Sequence, residues 1–237
     1  MMGAYKNVIR FTSDATALEK ILRLFQSICQ IFAANATSLE NATTWLHLRA
    51  QFALGRRYFR FFRFLECFSR AYDCFRTVDG VRGVFAVGKW SCLGSYMFLE
   101  SVTILDAMGY WATPLAGNCL LEGNKFWFYS LVCSILWGLL QYMDASNERY
   151  QVASKKMDEA TGSAALSDVE AKDIRDFEVK RKVKMDGVKT KMVIDGFDLL
   201  SPGFVTGWIR TSASVVGFSS VVSTMLSSKE IWDRLKE

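Results

Sequence analysis

The chemistry that this chain most clearly offers is the binding of anions by arginine side chains between positions 49 and 70. Arginines recur there every seven residues, and two more lie among them. Residues seven apart lie on the same side of an α-helix, so the spacing predicts a basic stripe. A guanidinium group binds phosphate oxygens through paired hydrogen bonds. The candidate ligands for an anionic partner are Arg49, Arg56, Arg57, Arg60, Arg63 and Arg70.

Large apolar residues follow the same stretch at alternating intervals of four and three. This alternation is typical of one face of a helix, and it predicts a single amphipathic helix over residues 54–75 with the arginines on the opposite side. The predicted apolar face consists of Leu54, Tyr58, Phe61, Leu65, Phe68, Tyr72 and Phe75.

Three kinds of surroundings could suit such a helix: a protein core, a nucleic acid, or the interface of a lipid bilayer. Stacking on bases requires aromatic rings interleaved with arginines on one exposed face. Here the rings and the arginines lie on opposite sides, so no nucleic-acid partner is expected. Two uncharged runs of 18 residues elsewhere in the chain favour a membrane. We therefore predict that the apolar face inserts into an anionic phospholipid membrane and that the arginines contact lipid phosphates.

Residues suited to catalysis or to metal binding are scarce. His47 is the sole histidine, and the six cysteines contain no CxxC pair. Gly83, Gly88 and Lys89 have the spacing of a phosphate loop, but Trp90 stands where that loop needs Ser or Thr to hold magnesium. The sequence therefore predicts no catalytic residue, no cofactor and no metal site, and a protein that is not an enzyme.

The elements that must position the arginines are predicted to be helices. A periodic segment over residues 14–32 predicts a helix capped by Ser13 or Asp14, and Ser167 with Glu170 has the spacing of a second cap. The charged helix that follows is expected to end at a turn in IDGFDLLSPGF, residues 194–204. The net charge of the chain is +5. Residues 1–80 contain 11 basic and 6 acidic groups, so this region carries the whole excess of positive charge. This asymmetry also points to an anionic partner.

Membrane spans are expected at 126–143 and 211–228, since neither run contains a charge. A third apolar stretch, 84–115, is interrupted by Lys89, Glu100 and Asp106, so it predicts either a span or a helix buried among its neighbours. The fold class is thus all-α: an integral membrane protein with amphipathic amino-terminal helices and two or three membrane-embedded helices.

The order of several segments resembles the peroxisomal membrane-proliferation peroxins, the peroxin-eleven family. They are SDATALEKILRLFQ, LGRRYFRF, SYMFLESVTILDAMGYW, KFWFYSLVCSILWGLLQ and FDLLSPGFVTGW, followed by VVGFSSVVSTM and Trp232. The resemblance implies a membrane protein of the peroxisome that elongates and tubulates the organelle before division. It also implies self-association into a homo-oligomer and recruitment of fission machinery.

Four regions follow from these patterns. Residues 1–80 form the amphipathic remodelling region, 81–150 the membrane-embedded region, 151–200 a polar linker with a charged helix, and 201–237 a carboxyl-terminal membrane helix with a short tail. One alternative function stays open: a channel for small metabolites, in which Glu100, Asp106 and Arg210 line an aqueous path.

Overall fold

Every regular element in the described part of the chain is a helix. The computed structural model describes residues 2–161 and 168–236, with side chains described for 5–146 and 178–235. The elements are α1 (Met2–Ser13), α2 (Ala15–Ala34), α3 (Leu39–Arg60), α4 (Arg63–Thr77), α5 (Gly80–Val102), α6 (Ile104–Ala107), α7 (Ala116–Thr161), α8 (Asp168–Thr206) and α9 (Ala213–Lys236). The prediction of an all-α fold is confirmed.

Helix boundaries agree with the sequence at the start of α2 and differ at the end of α8. The Asp14 carboxylate accepts a hydrogen bond of 2.9 Å from the backbone N–H of Ala17, which is the predicted cap. Ser167 lies outside the described residues, and α8 begins at Asp168. The turn predicted at 194–204 was wrong, because α8 continues through Pro202 and ends before Gly207, whose φ is 75°. Pro202 is fully buried, and packing at this point outweighs its low helix propensity.

The predicted helix over residues 54–75 is divided in two. Helix α3 ends at Arg60 and α4 begins at Arg63, so Phe61 and Phe62 form a break between them. The Ser101 hydroxyl, from α5, donates a hydrogen bond of 2.6 Å to the carbonyl oxygen of Phe61. This side-chain donor supplies a partner to a backbone carbonyl at the interrupted end of α3. The prediction of one continuous helix was therefore wrong, although helices lie on both sides of the break.

The long helices are arranged as a closed ring. Helix α2 packs against α3 and α9, α9 packs against α8, α8 against α7, α7 against α5, and α5 against α4. The short break between α3 and α4 closes the ring. Its interior is where the side chains of six of these helices meet.

The interior of the ring is polar and much of its outer surface is apolar. Among the described residues with almost no solvent exposure, polar and charged side chains outnumber apolar ones, and many large apolar side chains are exposed on α3, α4, α5 and α7. Water-soluble proteins show the opposite distribution. Apolar surface on the outside suits a chain surrounded by lipid.

One stretch of helix in the described residues, Ala116–Ser146, is long and apolar enough to cross a membrane. In its most apolar 18 residues, 22% are buried inside the protein. This stretch contains the predicted span 126–143. The serine-rich segment 211–228 does not reach the same hydropathy. Several of its serines are buried inside the ring, as Ser219, Ser220 and Ser223 show.

Candidate functional site

The residues of the predicted apolar face lie mostly on the outside of the ring. Leu65, Tyr72 and Phe75 of α4 are 59%, 61% and 73% exposed. Tyr58 of α3 and Phe68 of α4 are also exposed, but the Phe68 ring lies against Gly94 of α5. Leu54 and Phe61 are half-buried. The structure thus brings five of these side chains to the surface and turns two partly inward.

The predicted basic stripe is divided between the two sides of the helices. Arg63 and Arg70 are exposed on α4, and Arg70 forms an ion pair of 2.7 Å with Glu66. Arg49 donates a hydrogen bond of 3.1 Å to the side-chain oxygen of Gln30 on α2. The other three arginines of the stripe face the interior. Of the two helices that carry the stripe, α4 keeps its guanidinium groups exposed and α3 turns three of its four inward.

The inward arginines belong to a layer of buried ion pairs. Arg56 Nε lies 2.7 Å from a carboxylate oxygen of Glu19, and Arg60 Nη2 lies 2.8 Å from Glu100. Arg57 Nε is 3.7 Å from the same Glu100 oxygen. These pairs join α3 to α2 and to α5. Each buried guanidinium group has a carboxylate nearby, and this opposite charge offsets part of the free-energy cost of removing the arginine from water.

A further ion pair of this layer joins the amino-terminal helices to α8. Arg23 of α2 donates to both carboxylate oxygens of Asp198, and both residues are buried. A bidentate pair of this kind fixes geometry as well as charge. The pairs Glu19–Arg56, Arg23–Asp198 and Arg60–Glu100 are hereafter called the ion-pair layer.

The pKa values of Glu19 and of its neighbour Lys20 depend on burial and on the charges around them. Burial alone would raise the pKa of Glu19, but Arg56, Lys20, Arg60 and Arg23 together lower the pKa of this carboxyl well below its usual range. Burial lowers the pKa of Lys20 to about 8, and the charge of Glu19 partly opposes that shift. Glu19 is therefore ionised at neutral pH and holds the surrounding cations in place.

Sequence reasoning missed Glu19, Arg23 and Asp198. A signal was present, since Glu19 and Arg23 lie four residues apart within the periodic segment 14–32 and Asp198 lies within the apolar run FDLL. Charged residues inside an apolar segment are typical of buried pairs. Their partners are distant, however: Arg23 and Asp198 are 175 positions apart.

The candidate span contributes polar side chains to the interior as well. Ser134 of α7 donates a hydrogen bond of 2.6 Å to Asp195 of α8, and Lys191 forms an ion pair of 2.6 Å with the same carboxylate. Ser130 donates to the carbonyl oxygen of Lys89 on α5 at 2.8 Å. The span thus presents polar groups to the ring interior and apolar groups to its outside.

The described residues of the ring line at least two cavities. One has a volume of about 250 Å³ and is lined by α2, α3, α4, α5, α7 and α8. The other has a volume of about 420 Å³, and Arg57, Arg60 and Glu100 are among its lining residues. Of the three residues predicted to line an aqueous path, Glu100 lines the larger cavity, whereas Asp106 and Arg210 line neither cavity.

Comparison with known proteins covers almost the whole chain. The family model for Peroxisomal biogenesis factor 11 (PEX11) matches residues 5–232. A curated relative from Saccharomyces cerevisiae, "Peroxisomal membrane protein PMP27", is 23% identical over 232 residues, which are 94% of this chain and 92% of the relative. No solved structure matches the chain.

Proposed function

Because the chain belongs to the peroxisomal biogenesis factor 11 family, we propose that it elongates and tubulates the peroxisomal membrane before division by inserting the apolar surface of α3 and α4. The family makes it a protein of the peroxisomal membrane that acts in peroxisome proliferation and division. It is a family of biogenesis factors rather than enzymes. The mechanism, insertion of an amphipathic surface, is our proposal.

The observation that supports insertion is the exposed apolar surface of α4. Leu65, Tyr72 and Phe75 are exposed side by side, while Cys67 and Ala71 on the other side of the helix are buried. Complete burial of a large apolar side chain contributes ~1.5–3 kcal/mol, so partial insertion of several contributes on the order of 5 kcal/mol. A nearby arginine adds about 1 kcal/mol at an anionic surface. The apolar contribution therefore dominates, and high salt alone should not release the protein.

Shallow insertion also has a mechanical effect. An amphipathic helix at the acyl boundary enlarges one leaflet relative to the other, which favours positive curvature. Self-association of inserted copies would concentrate that effect along a tubule. We propose such a homo-oligomer, and recruitment of fission machinery to it, on the basis of family membership alone.

The insertion mechanism can be tested with Leu65→Glu combined with Tyr72→Glu. Both side chains are exposed, so the fold should be retained while two charges enter the apolar surface. We expect the full chain carrying both changes to lose tubulation of anionic vesicles, measured by electron microscopy, and to leave peroxisomes unelongated in cells.

A matched control is Gln51→Glu combined with Thr77→Glu, which adds the same charge at exposed positions outside the apolar surface. This control should tubulate vesicles as the unmodified chain does. If the Leu65 and Tyr72 variant tubulated equally well, insertion of α4 would have to be abandoned as the mechanism.

A channel for small metabolites is a second candidate, favoured by the two polar cavities inside the ring. Charged residues that line a water-filled path determine its conductance and selectivity. Replacement of Arg57 and Lys89, which line different cavities, by uncharged residues should then change conductance in planar bilayers. Unchanged conductance and selectivity would exclude these cavities as the path.

A further inference from the structure

The smaller cavity carries a surplus of positive charge. Eight basic and four acidic side chains line it. Each of the four acidic side chains pairs with a basic one: Glu19 with Arg56, Glu66 with Arg70, Asp195 with Lys191 and Asp198 with Arg23. The carboxylates of the lining are therefore already occupied.

Two cations in this lining form no ion pair with a carboxylate of the described residues. No carboxylate of the described residues lies within ion-pair distance of Lys89 or Arg63. Lys89 Nζ instead lies 5.1 Å and 4.9 Å from the ring centres of Trp90 and Trp137. Lys89 is half-buried. An anion close to Nζ would relieve the cost of burying this charge.

Arg60 provides an independent indication of a ligand. It lines both cavities, and only 8% of it is exposed. Its Nη2 donates to Glu100, but its Nε is buried and has no hydrogen-bond partner among the described residues. A buried N–H without a partner is destabilising. An oxygen acceptor that reached Nε from the cavity would give this donor its missing partner.

The size and the walls of the cavity limit what it can hold. A volume of about 250 Å³ is below the ~300–1,000 Å³ that is usual for drug-sized ligands, so a compact group fits and a large cofactor does not. Trp90, Leu93 and Leu131 give the cavity an apolar wall. Arg63 and Arg70 line the cavity and are also exposed, so the cavity is open to the outside on the side of α4 that carries these arginines.

We propose that this cavity binds one phosphate-bearing group, either the headgroup of an anionic phospholipid or a small soluble phosphate. Lys89 and Arg63 would be the ligands that no carboxylate of the described residues occupies, and Arg60 would supply its unsatisfied Nε donor. The site differs from the apolar surface proposed for tubulation, and loss of phosphate binding would leave the insertion mechanism intact.

The test uses the full chain in uncharged detergent micelles, with two probes added separately: inorganic phosphate and short-chain phosphatidic acid. Binding is followed by tryptophan fluorescence, because Trp90 and Trp127 line the cavity. At least one probe should bind. Lys89→Met should weaken its binding about tenfold or more, as expected for a lost charge-assisted hydrogen bond. Lys182→Met, at an exposed position outside the cavity, is the matched control and should bind as the unmodified chain does.

The two probes distinguish the sources of the group. Binding of inorganic phosphate would show that the ligand of the cavity is a soluble phosphate. Binding of phosphatidic acid alone would show that the ligand is a lipid headgroup. Phosphatidylcholine is the control for binding to the acyl chains. Failure of both probes to bind, or equal binding by Lys89→Met and Lys182→Met, would overturn the proposal.

A second measurement needs no variant and so does not depend on the folding of Lys89→Met. An amine-reactive reagent is applied to the unmodified chain with and without the probe, and the labelled lysines are identified by mass spectrometry. Bound phosphate should protect Lys89 and leave the labelling of Lys182 unchanged. Equal labelling of Lys89 in both samples would count against the site.

Discussion

Two pairs of arginines, an outer pair on α4 and an inner pair on α3, differ in their exposure and in the helices that supply their partners. Arg63 and Arg70 of α4 are exposed, although both also line the smaller cavity, whereas Arg56 and Arg60 of α3 contact Glu19 and Glu100 in the interior. The outer pair is placed to contact a charged surface. The inner pair joins helices. An exposed arginine can thus attract an anionic partner, whereas a buried arginine holds two helices together.

The contrast follows from an inversion of the usual distribution of polarity. Lipid solvates apolar side chains but not charges, so charges are most stable when paired inside the protein. Hydrophobic burial contributes little between helices that are already surrounded by lipid, and polar contacts then supply much of the specificity. We therefore expect the ion-pair layer to determine stability and the outer surface to determine membrane binding.

The largest effect should come from Arg23→Met, which leaves Asp198 buried without its partner. Breaking a buried ion pair in this way costs ~3–5 kcal/mol of unfolding free energy. For a chain of this size that corresponds to a fall in Tm of roughly 6–20 °C, measured by circular dichroism in detergent.

Arg82→Met is the matched control for that loss. Arg82 pairs with Asp144, but its side chain is 54% exposed, and exposed pairs contribute ~0–1 kcal/mol. If Arg82→Met and Arg23→Met lowered Tm equally, the distinction between inner and outer charges would be lost.

A smaller effect is expected from acid. Because the pKa of Glu19 is lowered in the folded protein, its stabilising contribution is complete above its usual pKa of about 4.3 and is lost as pH falls below that value. Protonation would leave Arg56 without its charged partner, at a cost of ~1–3 kcal/mol. Tm measured between about pH 6 and pH 3 should fall, and Glu19→Gln should flatten this dependence. An equally steep fall in the variant would assign the acid sensitivity to other carboxyls.

The smallest effect is expected from Arg63→Gln combined with Arg70→Gln. Each exposed arginine contributes about 1 kcal/mol to binding an anionic surface, so the pair should weaken binding to anionic vesicles by roughly 30-fold at most. Binding to uncharged vesicles and Tm should not change. A fall in Tm comparable to that of Arg23→Met would show that these two arginines also hold the fold together.

Much of the fold could be predicted because it depends on local pattern. The cap at Asp14 and the helix that follows are local features, and the apolar span 126–143 lies within the stretch found in the structure. The regular spacing of apolar residues also placed helices on both sides of the α3–α4 break.

What the sequence could not predict depends on distant contacts. The periodicity of apolar residues distinguishes the two sides of a helix but does not reveal which side contacts protein. Arg60 faces the interior because it pairs with Glu100, which lies 40 positions away in the sequence. At the break, the carbonyl oxygen of Phe61 likewise finds its partner, Ser101, on another helix. Pro202 argued for a turn, yet buried packing keeps the helix intact. The predicted role of the six arginines and of the seven apolar residues in lipid binding remains a prediction.

Contacts between α1 and α9 have a consequence for the path of the chain through the bilayer. The rings of Phe11 and Trp232 lie 5.6 Å apart, and Arg234 lies 3.7 Å from Asp14. Points in contact are at the same depth, so between them the chain makes no net passage from one aqueous compartment to the other. If the candidate span 116–146 crosses the bilayer, the chain needs an opposite return before α9. We expect α8 to provide it, because α8 runs antiparallel beside α7: Arg181 donates a hydrogen bond to Ala145, and Ser134 donates one to Asp195. Tags joined to α1 and to α9 should therefore be digested by protease from the same side of the peroxisomal membrane. Protection of only one of the two tags would contradict this topology.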